Sequence, residues 1–418
     1  MSRTINSELP PGNLAAGQRA DPTGYDTPGI VFANSAAGTY TPTRSGAIAT
    51  IIHELALRAT TAGKQVVVLS RPAPTASYDD TPVVFVPAPR IPMSRLGSLA
   101  MRAQRKLLGY RHFRHGEYIR RTISAIRSSR LLGHVKATFN DPELAISLAR
   151  AFPQDLVILW FQNQLECKDR FRRKLAGSGV RCIAVSNFTA RWVENYYGLK
   201  AGCVPTVYNA VDSHHFFPAS ESPPGLPVIN FLGRTGIEKG PDILLEAALL
   251  LAQKRLKFKL QLIGSNHWDH FELDDYQRKL AALVERLEKL GVPVRRPGHL
   301  GRAALPDELR KAHIHVFTSR WDEPFGMATL EGMACGLATV ASNTGGTPEV
   351  VGDAGLLFER ENVGELAKQL ERLIADENLR RGYSSRARTR AAEFTWEKTW
   401  LSLRNITNRS PIPSISGA

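Results

Sequence analysis

Short, mainly apolar runs separated by stretches of helical spacing recur along this chain, and that alternation limits its fold more than any other feature. Before residue 220 the runs are GIVFANSA (29–36), QVVVLS (65–70), VVFV (83–86), KATF (136–139), DLVILWF (155–161), RCIAVS (181–186) and CVPTVY (203–208). Such runs suit strands buried on both faces rather than strands with one wet face. Between them, residues 45–62 place Ile48, Ile51, Ile52 and Leu55 near one helical face, and 141–151 and 187–197 also read as helices. The combination predicts an α/β fold on a parallel sheet covered by helices on both sides.

SESPPGLP (220–227) interrupts the rhythm, and its prolines and glycine read as a linker. The alternation then restarts, with VINFLG (228–233), FKLQLIG (258–264), HIHVFTS (313–319) and LATVAS (337–342) as strands. Helices are expected at 240–254, 276–290, 328–334, 363–375 and 377–392. The 418 residues therefore divide into a disordered tail (1–27), an N-terminal Rossmann-like domain (28–222), a C-terminal Rossmann-like domain (223–395) and a C-terminal helix and tail (396–418). Two doubly wound domains facing one another hold ligands outside the carboxyl ends of their strands, which places the expected site in the cleft between them.

Composition removes several alternatives. Four scattered cysteines (Cys167, Cys182, Cys203, Cys335) form neither a disulfide framework nor a close-spaced zinc motif, and they fit a reducing cytosol. No apolar run approaches the ~18 residues of a membrane span. The opening residues, MSRTINSELPPGN, lack the apolar core of a secretory signal, so the expected location is cytoplasmic. Lys and Arg number 54 against 39 Asp and Glu, a net charge of +15. Residues 1–222 carry 27 basic and 15 acidic side chains, net +12, whereas 223–418 carry 27 and 24, net +3. The excess peaks between Arg90 and Arg130, with eleven Lys/Arg and one acid, Glu117. Interleaved Leu96, Leu99, Leu107 and Tyr110 make this an interfacial segment, so an anionic membrane surface, at the inner face of the plasma membrane, is an expected partner. Nucleic acid is not expected, because no helix-turn-helix, zinc or RNP signature accompanies the charge.

Two segments carry the chemistry. In FLGRTGIEKGPDILLEA (231–247) a strand ends at Gly233, Arg234 follows at once, and Lys239-Gly240 opens a helix. A guanidinium fork and an ammonium point charge converging beyond a strand end suit a diphosphate. In TSRWDEPFGMATLEGMACGLATVASNTGGTPEVV (318–351), Glu323 and Glu331 have seven residues between them, and Pro324 fits a helix start. From that helix Glu331 can accept both hydroxyls of a ribose, while Glu323 in the loop can reach sugar hydroxyls. Backbone amides around Phe325, Gly326 and Met327 are placed to take phosphate oxygens. Taken singly each feature has an ordinary reading, as loop cations or as a helix-dipole partner.

The GGTPE turn at 345–349 changes that balance. Residues 228 to about 395 resemble the C-terminal domain of the retaining GT-B glycosyltransferases of family 4, the group 1 glycosyltransferases, which carry a GR…KG loop, an E-x7-E segment and a GG-x-PE turn in this order. The resemblance implies a GT-B fold and transfer of a sugar from a nucleotide-diphosphate sugar to an acceptor hydroxyl. By position it puts Gly233, Arg234 and Lys239 at the diphosphate, Glu323 at the donor sugar and Glu331 at the ribose, with Arg234, Lys239 and Glu323 as the catalytic set. No cofactor is expected beyond the nucleotide sugar as co-substrate. Neither Asp79-Asp80 nor Asp274-Asp275 ends a buried strand as a metal-binding DxD does, so no metal requirement is expected either. Arg234 and Lys239 can supply the charge that Mg²⁺ supplies elsewhere.

The first half is similar to the family more loosely. VSNFTARWVENYYGL (185–199) and VYNAVDSHHFFP (207–218) resemble the approach to its interdomain hinge, with Ala210 for the usual glycine. TYTPTRSGAIAT (39–50) lies where the family has a glycine-rich turn, which makes Ser45 and Gly46 acceptor-side candidates; a plain helix start at Ser45 is the alternative. The family's histidine at the end of DLVILWF is replaced by Gln162, followed by Asn163. Glutamine can hydrogen-bond a hydroxyl but cannot take a proton. Two readings follow: an enzyme in which acceptor and donor phosphate handle the proton, or a catalytically inactive relative that binds nucleotide sugar or serves as a partner subunit. The acceptor expected beside the basic segment is a glycan, a lipid-linked sugar or polysaccharide precursor. His313 and His315 alternate along an apolar strand and read as packed or surface residues.

Overall fold

The computed structural model describes residues 29–36, 38–42, 46–87, 110–128, 134–167, 169–265 and 274–408. The tail expected at 1–27, Ser45, and residues 90–109 and 129–130 of the basic segment lie outside them.

In the first half, β1 (Ile30–Ala33), β2 (Val66–Ser70), β3 (Val83–Phe85), β4 (Val135–Phe139), β5 (Leu156–Phe161) and β6 (Arg181–Ala184) form a parallel sheet in the order β3-β2-β1-β4-β5-β6. Helices α1 (Ala47–Thr61), α2 (Tyr110–Ser128), α3 (Pro142–Ala151), α4 (Asp169–Ala176) and α5 (Asn187–Tyr197) cover it. Ile30 and Phe32 join one hydrophobic cluster while Val31 and Ala33 join another. Both strand faces are therefore dry, which is why the run carries no polar alternation.

The second half repeats the plan. Strands β7 (Val228–Leu232), β8 (Lys259–Ile263), β9 (Val294–Gly298), β10 (Ile314–Phe317), β11 (Ala338–Ser342) and β12 (Leu356–Phe358) take the order β12-β11-β10-β7-β8-β9, again parallel. Around them lie α6 (Pro241–Gln253), α7 (Asp275–Lys289), α8 (Leu305–Leu309), α9 (Met327–Ala334), α10 (Thr347–Val351), α11 (Val363–Ala375) and α12 (Glu377–Ala391). Ile229, Phe231, Ile314 and Val316 build the apolar core. Their alternate neighbours form a buried polar ladder: His315 Nδ1 is 3.0 Å from Asn230 Oδ1, Asn230 Nδ2 donates to Gln261 at 2.9 Å, and Gln261 donates to Glu308 at 2.5 Å. Polar groups buried in this way need partners to offset lost hydration.

The two halves meet near the carboxyl ends of their strands. There Glu349 on α10 accepts the amides of Asn187 at 2.8 Å and Phe188 at 2.6 Å, the first residues of α5.

Several boundaries move from their expected places. CVPTVY is not a strand; Pro205 offers no N–H, and the segment touches the sheet only through a bridge between Ala184 and Thr206. Ahead of the linker at 220–227, Val211 and Phe216 already pack with Phe317, Leu330 and Met333 of the second half. The last helix, α13 (Trp396–Asn408), is not independent: Trp396, Trp400 and Leu403 join the N-terminal core beside Ile52 and Leu55. Arg58 of α1 pairs with Glu397 of α13 at 2.7 Å. Two elements, β9 (VRRPG) and α2, are polar enough to hide from an apolar pattern. Among the described residues no helix is long and apolar enough to cross a membrane.

Candidate active site

Beyond β7 the chain turns through Gly233 and Arg234. The amide of Gly233 donates to Ile263 at 3.0 Å. Gly264 (φ 129) lies so close that a Cβ there would stand 1.8 Å from the Gly233 oxygen. A 3-10 turn (Ile237–Lys239) follows, closed by Gly240 at φ 62. It holds Lys239 above Phe317 of β10, with Nζ 5.7 Å from the ring centre and 2.5 Å from Glu323 Oε2. Arg234 is more exposed and pairs with Glu238 at 3.0 Å.

A buried network braces this turn. Arg320 donates to Asp242 at 2.8 and 2.9 Å and to the Ile237 carbonyl at 2.9 Å. Burial works against the ionised form of Asp242, but hydrogen bonds from Arg320, Lys279 and Tyr276 outweigh it and hold its pKa well below the usual carboxylate range.

The GG-x-PE turn shapes the loop that carries Glu323. Gly346 donates its amide to the Glu323 carbonyl at 2.6 Å. A Cβ on Gly345 (φ 58) would lie 2.2 Å from that same oxygen, and one on Gly346 would lie 2.4 Å from the Pro324 oxygen and 2.9 Å from Ser186 Oγ. Only glycine lets the two loops press together this closely. Helix α9 begins at Met327 rather than Pro324, because Gly326 adopts φ 99 and turns the chain first. No side chain caps it, so the helix-end amides beyond Gly326 point out of the helix without one. The hydroxyls of Thr329 and Thr347 flank Gly326, buried and without hydrogen-bond partners. Phe325 is buried against Tyr208 and Phe394.

Glu331 lies one turn farther along α9. It is buried, with Oε1 3.0 Å from Arg302 Nη1. Burial raises its pKa, and the Arg302 charge opposes that rise. Its neighbour Gly332 packs on His315, whose ring carbon would be 2.6 Å from an added Cβ. Arg302 is a site residue that sequence reasoning missed; nothing in HLGRAAL distinguishes it from a loop cation.

Residues 212–390, which contain Arg234, Lys239, Arg302, Glu323, Glu331 and the double-glycine turn, match the family described as Glycosyl transferases group 1. Over these residues the chain is similar to the group 1 glycosyltransferases. The chain is 28% identical over 267 residues to the D-inositol 3-phosphate glycosyltransferase of Nocardiopsis dassonvillei, an alignment covering 59% of this chain. It spans only 60% of that relative's length. In fold it is similar to a glycosyltransferase from Rickettsia africae, with TM-score 0.72 and 17% identity over 92% of this chain and 98% of that one. It is also similar to Anabaena Alr3699/HepE in complex with UDP and glucose, with TM-score 0.67 and 17% identity over 91% and 99% of the two chains. These likenesses show the GT-B architecture expected from the sequence.

Opposite the C-terminal domain, the N-terminal wall differs from expectation. Gly46 precedes α1 in extended conformation and gives no side-chain cap. Gln162 does not stand open to the cleft: its amide exchanges hydrogen bonds with that of Asn209, at 3.1 and 2.8 Å. It therefore ties β5 to the segment entering the C-terminal domain. The backbone amides of Gln162 and Asn163 both donate to Asn140 Oδ1, at 2.7 and 3.1 Å. Beside Asn140, Asp141 Oδ1 lies 3.0 Å from His115 Nε2 on α2. Burial pulls the His115 pKa down, but the Asp141 hydrogen bond and charge carry it above the usual value. Among the described residues no three His, Cys, Asp or Glu side chains gather as a metal site does.

Proposed function

We propose that this protein is a retaining glycosyltransferase that moves a sugar from a nucleotide-diphosphate sugar to an acceptor hydroxyl. The observation that carries the reading is the Lys239–Glu323 pair, which joins a cation suited to a diphosphate with a carboxylate suited to sugar hydroxyls. Arg234 and Lys239 bind the diphosphate, Glu323 the donor sugar and Glu331 the ribose. Amides around Phe325, Gly326 and Met327 take phosphate oxygens. The likeness to Alr3699/HepE, a protein seen in complex with UDP and glucose, supports a donor of this class.

In the reaction the bond between the anomeric carbon and the diphosphate oxygen breaks, and negative charge collects on the leaving group. Lys239 and Arg234 stabilise that charge without a metal. The acceptor hydroxyl attacks the face that the diphosphate leaves, and the departing phosphate oxygen takes its proton, a role that Gln162 cannot fill. Closure of the two domains keeps water from the activated sugar.

The acceptor in this reading is a lipid-linked sugar or polysaccharide precursor at the cytoplasmic face of an anionic membrane. Arg120 on α2, with Arg173 and Lys174 on α4, is exposed, and these cations add to the positive charge of the N-terminal half. The experiment is a donor screen: UDP-, GDP- and ADP-sugars are tested for protection against thermal unfolding, and the protective one for sugar transfer. Protection by one donor class, lost in Lys239→Ala, is expected; protection by none counts against the reading. The commitment of Gln162 to Asn209 favours a second reading, an inactive relative that binds the donor only. Protection without product formation, with lipid-linked and soluble glycan acceptors both supplied, selects it.

A further inference from the structure

Helix α12 carries Arg380, Arg381, Ser384, Ser385 and Arg388. Intervals of three and four residues bring them to one helical face. Arg310 at the end of α8 and Pro218, Ala219, Glu221, Ser222 and Pro223 stand against that face, and together they enclose a hollow of about 280 Å³. His313 lines it where β7 and β10 begin, its amide donating to the Val228 carbonyl at 2.9 Å. Arg234 and Lys239 follow the opposite, carboxyl end of β7. The hollow is therefore distinct from the cleft.

Its charge is unbalanced. Four guanidinium groups face one carboxylate, Glu221. Arg310 is engaged by Asp307, and Arg381 by Glu377 at 2.6 Å. Arg380 is half-buried and donates to the Leu373 carbonyl at 2.8 Å. Among the described residues no carboxylate pairs with Arg380 or Arg388. Burial lowers the Arg380 pKa; the Glu377 and Asp376 charges oppose this, and the Arg381 charge adds to it. A half-buried cation that no carboxylate pairs with has room for an anion, and a concave basic surface concentrates one.

We propose that this hollow binds a small phosphate-bearing anion of diphosphate size, held by Arg380, Arg381 and Arg388 on α12 and by Arg310 across from them. The volume suits a compact ligand rather than a drug-sized one. Because Glu221, Ser222 and Pro223 line one wall, the occupant touches the chain that leads from the first domain into β7.

Calorimetric titration of the full chain with inorganic pyrophosphate at fixed ionic strength tests this. Pyrophosphate also suits the cleft, so two variants separate the sites: Lys239→Ala for the cleft, and Arg381→Gln/Arg388→Gln, both exposed, for the hollow. Lys239→Ala is expected to keep one pyrophosphate site, together with a pyrophosphate-dependent rise in Tm. Arg381→Gln/Arg388→Gln, shown folded by an unchanged melt without ligand, is expected to weaken the hollow about tenfold or more. Loss of all binding in Lys239→Ala, or wild-type binding in the α12 variant, overturns the proposal. So does capture by phosphatidylglycerol vesicles with no pyrophosphate binding at the hollow, which assigns this face to a membrane.

Discussion

Lys239 Nζ stands 2.5 Å from Glu323 Oε2, although 84 positions separate the two residues in the chain. Both side chains are largely shielded from water. In the proposed reaction a donor diphosphate entering beside them would offer Lys239 a second anion and free Glu323 to meet sugar hydroxyls. On that reading the pair would hold both groups in place before the substrate arrives and so lower the cost of organising them in the transition state.

Removing either cation is expected to reduce turnover far more than it reduces stability. Lys239→Ala and Arg234→Ala should each lower kcat by about 100-fold or more, the scale of losing one preorganised charge contact. Initial rates of nucleotide release, with melting curves on the same samples, check this. Near-wild-type rates in both variants would remove these residues from the reaction.

Gly345→Ala tests the coupling of the two loops. The methyl group meets the Glu323 carbonyl oxygen at 2.2 Å, at a φ of 58 that alanine tolerates poorly. A stability loss of about 1–3 kcal/mol is expected, with Glu323 displaced. Donor turnover should therefore fall even at temperatures where the variant is fully folded. A folded Gly345→Ala protein with unchanged turnover would show that Glu323 does not depend on the turn.

Glu349 joins the domains through the amides of Asn187 and Phe188 and the Tyr208 hydroxyl, the last at 3.0 Å. Glu349→Ala should cost about 1–3 kcal/mol, as loss of a charged cap at a helix N-terminus does. Tyr208 supplies an independent readout: burial and the Glu349 charge push its pKa up to about 12. In Glu349→Ala that value should move back toward the ordinary tyrosine range in an ultraviolet titration. An unmoved Tyr208 together with an unmoved melt would argue against the contact.

His315 makes the fold sensitive to acid. Burial drives its pKa from 6.5 down to about 4, so the folded protein holds it neutral where the unfolded chain binds a proton. Between these values the unfolded state carries more protons, and stability therefore rises with pH. The contribution is complete above about pH 6.5 and is lost as pH falls toward 4, about 3 kcal/mol in all. Urea midpoints measured across that window should slope less steeply in His315→Gln than in wild type. Parallel slopes would assign the acid sensitivity to other groups.

Much of this architecture was legible in the sequence because it rests on burial alone. An unbroken run such as DLVILWF must lie in a sheet dry on both faces, and β5 does so. Elements that satisfy themselves by other means left no such trace: β9 pairs at the sheet edge with the polar sequence VRRPG, and α2 intersperses six charged residues and two histidines among its 19. The chain also could not reveal that Val211 and Phe216 belong to the second core, since their hydrophobicity is the same whichever domain covers them.

At the site, sequence by itself determined which chemical groups exist and in what order: two cations after a strand, two spaced carboxylates, and a double-glycine turn. Tertiary structure alone decided which of them meet. It set Lys239 on Glu323, closed Gly346 onto the loop before α9, gave Glu331 to Arg302 and turned Gln162 inward to Asn209. The physical reason is range. Strand and helix formation respond to residues a few positions apart, whereas charge pairing and close backbone contact depend on distances that exist only after both sheets have packed.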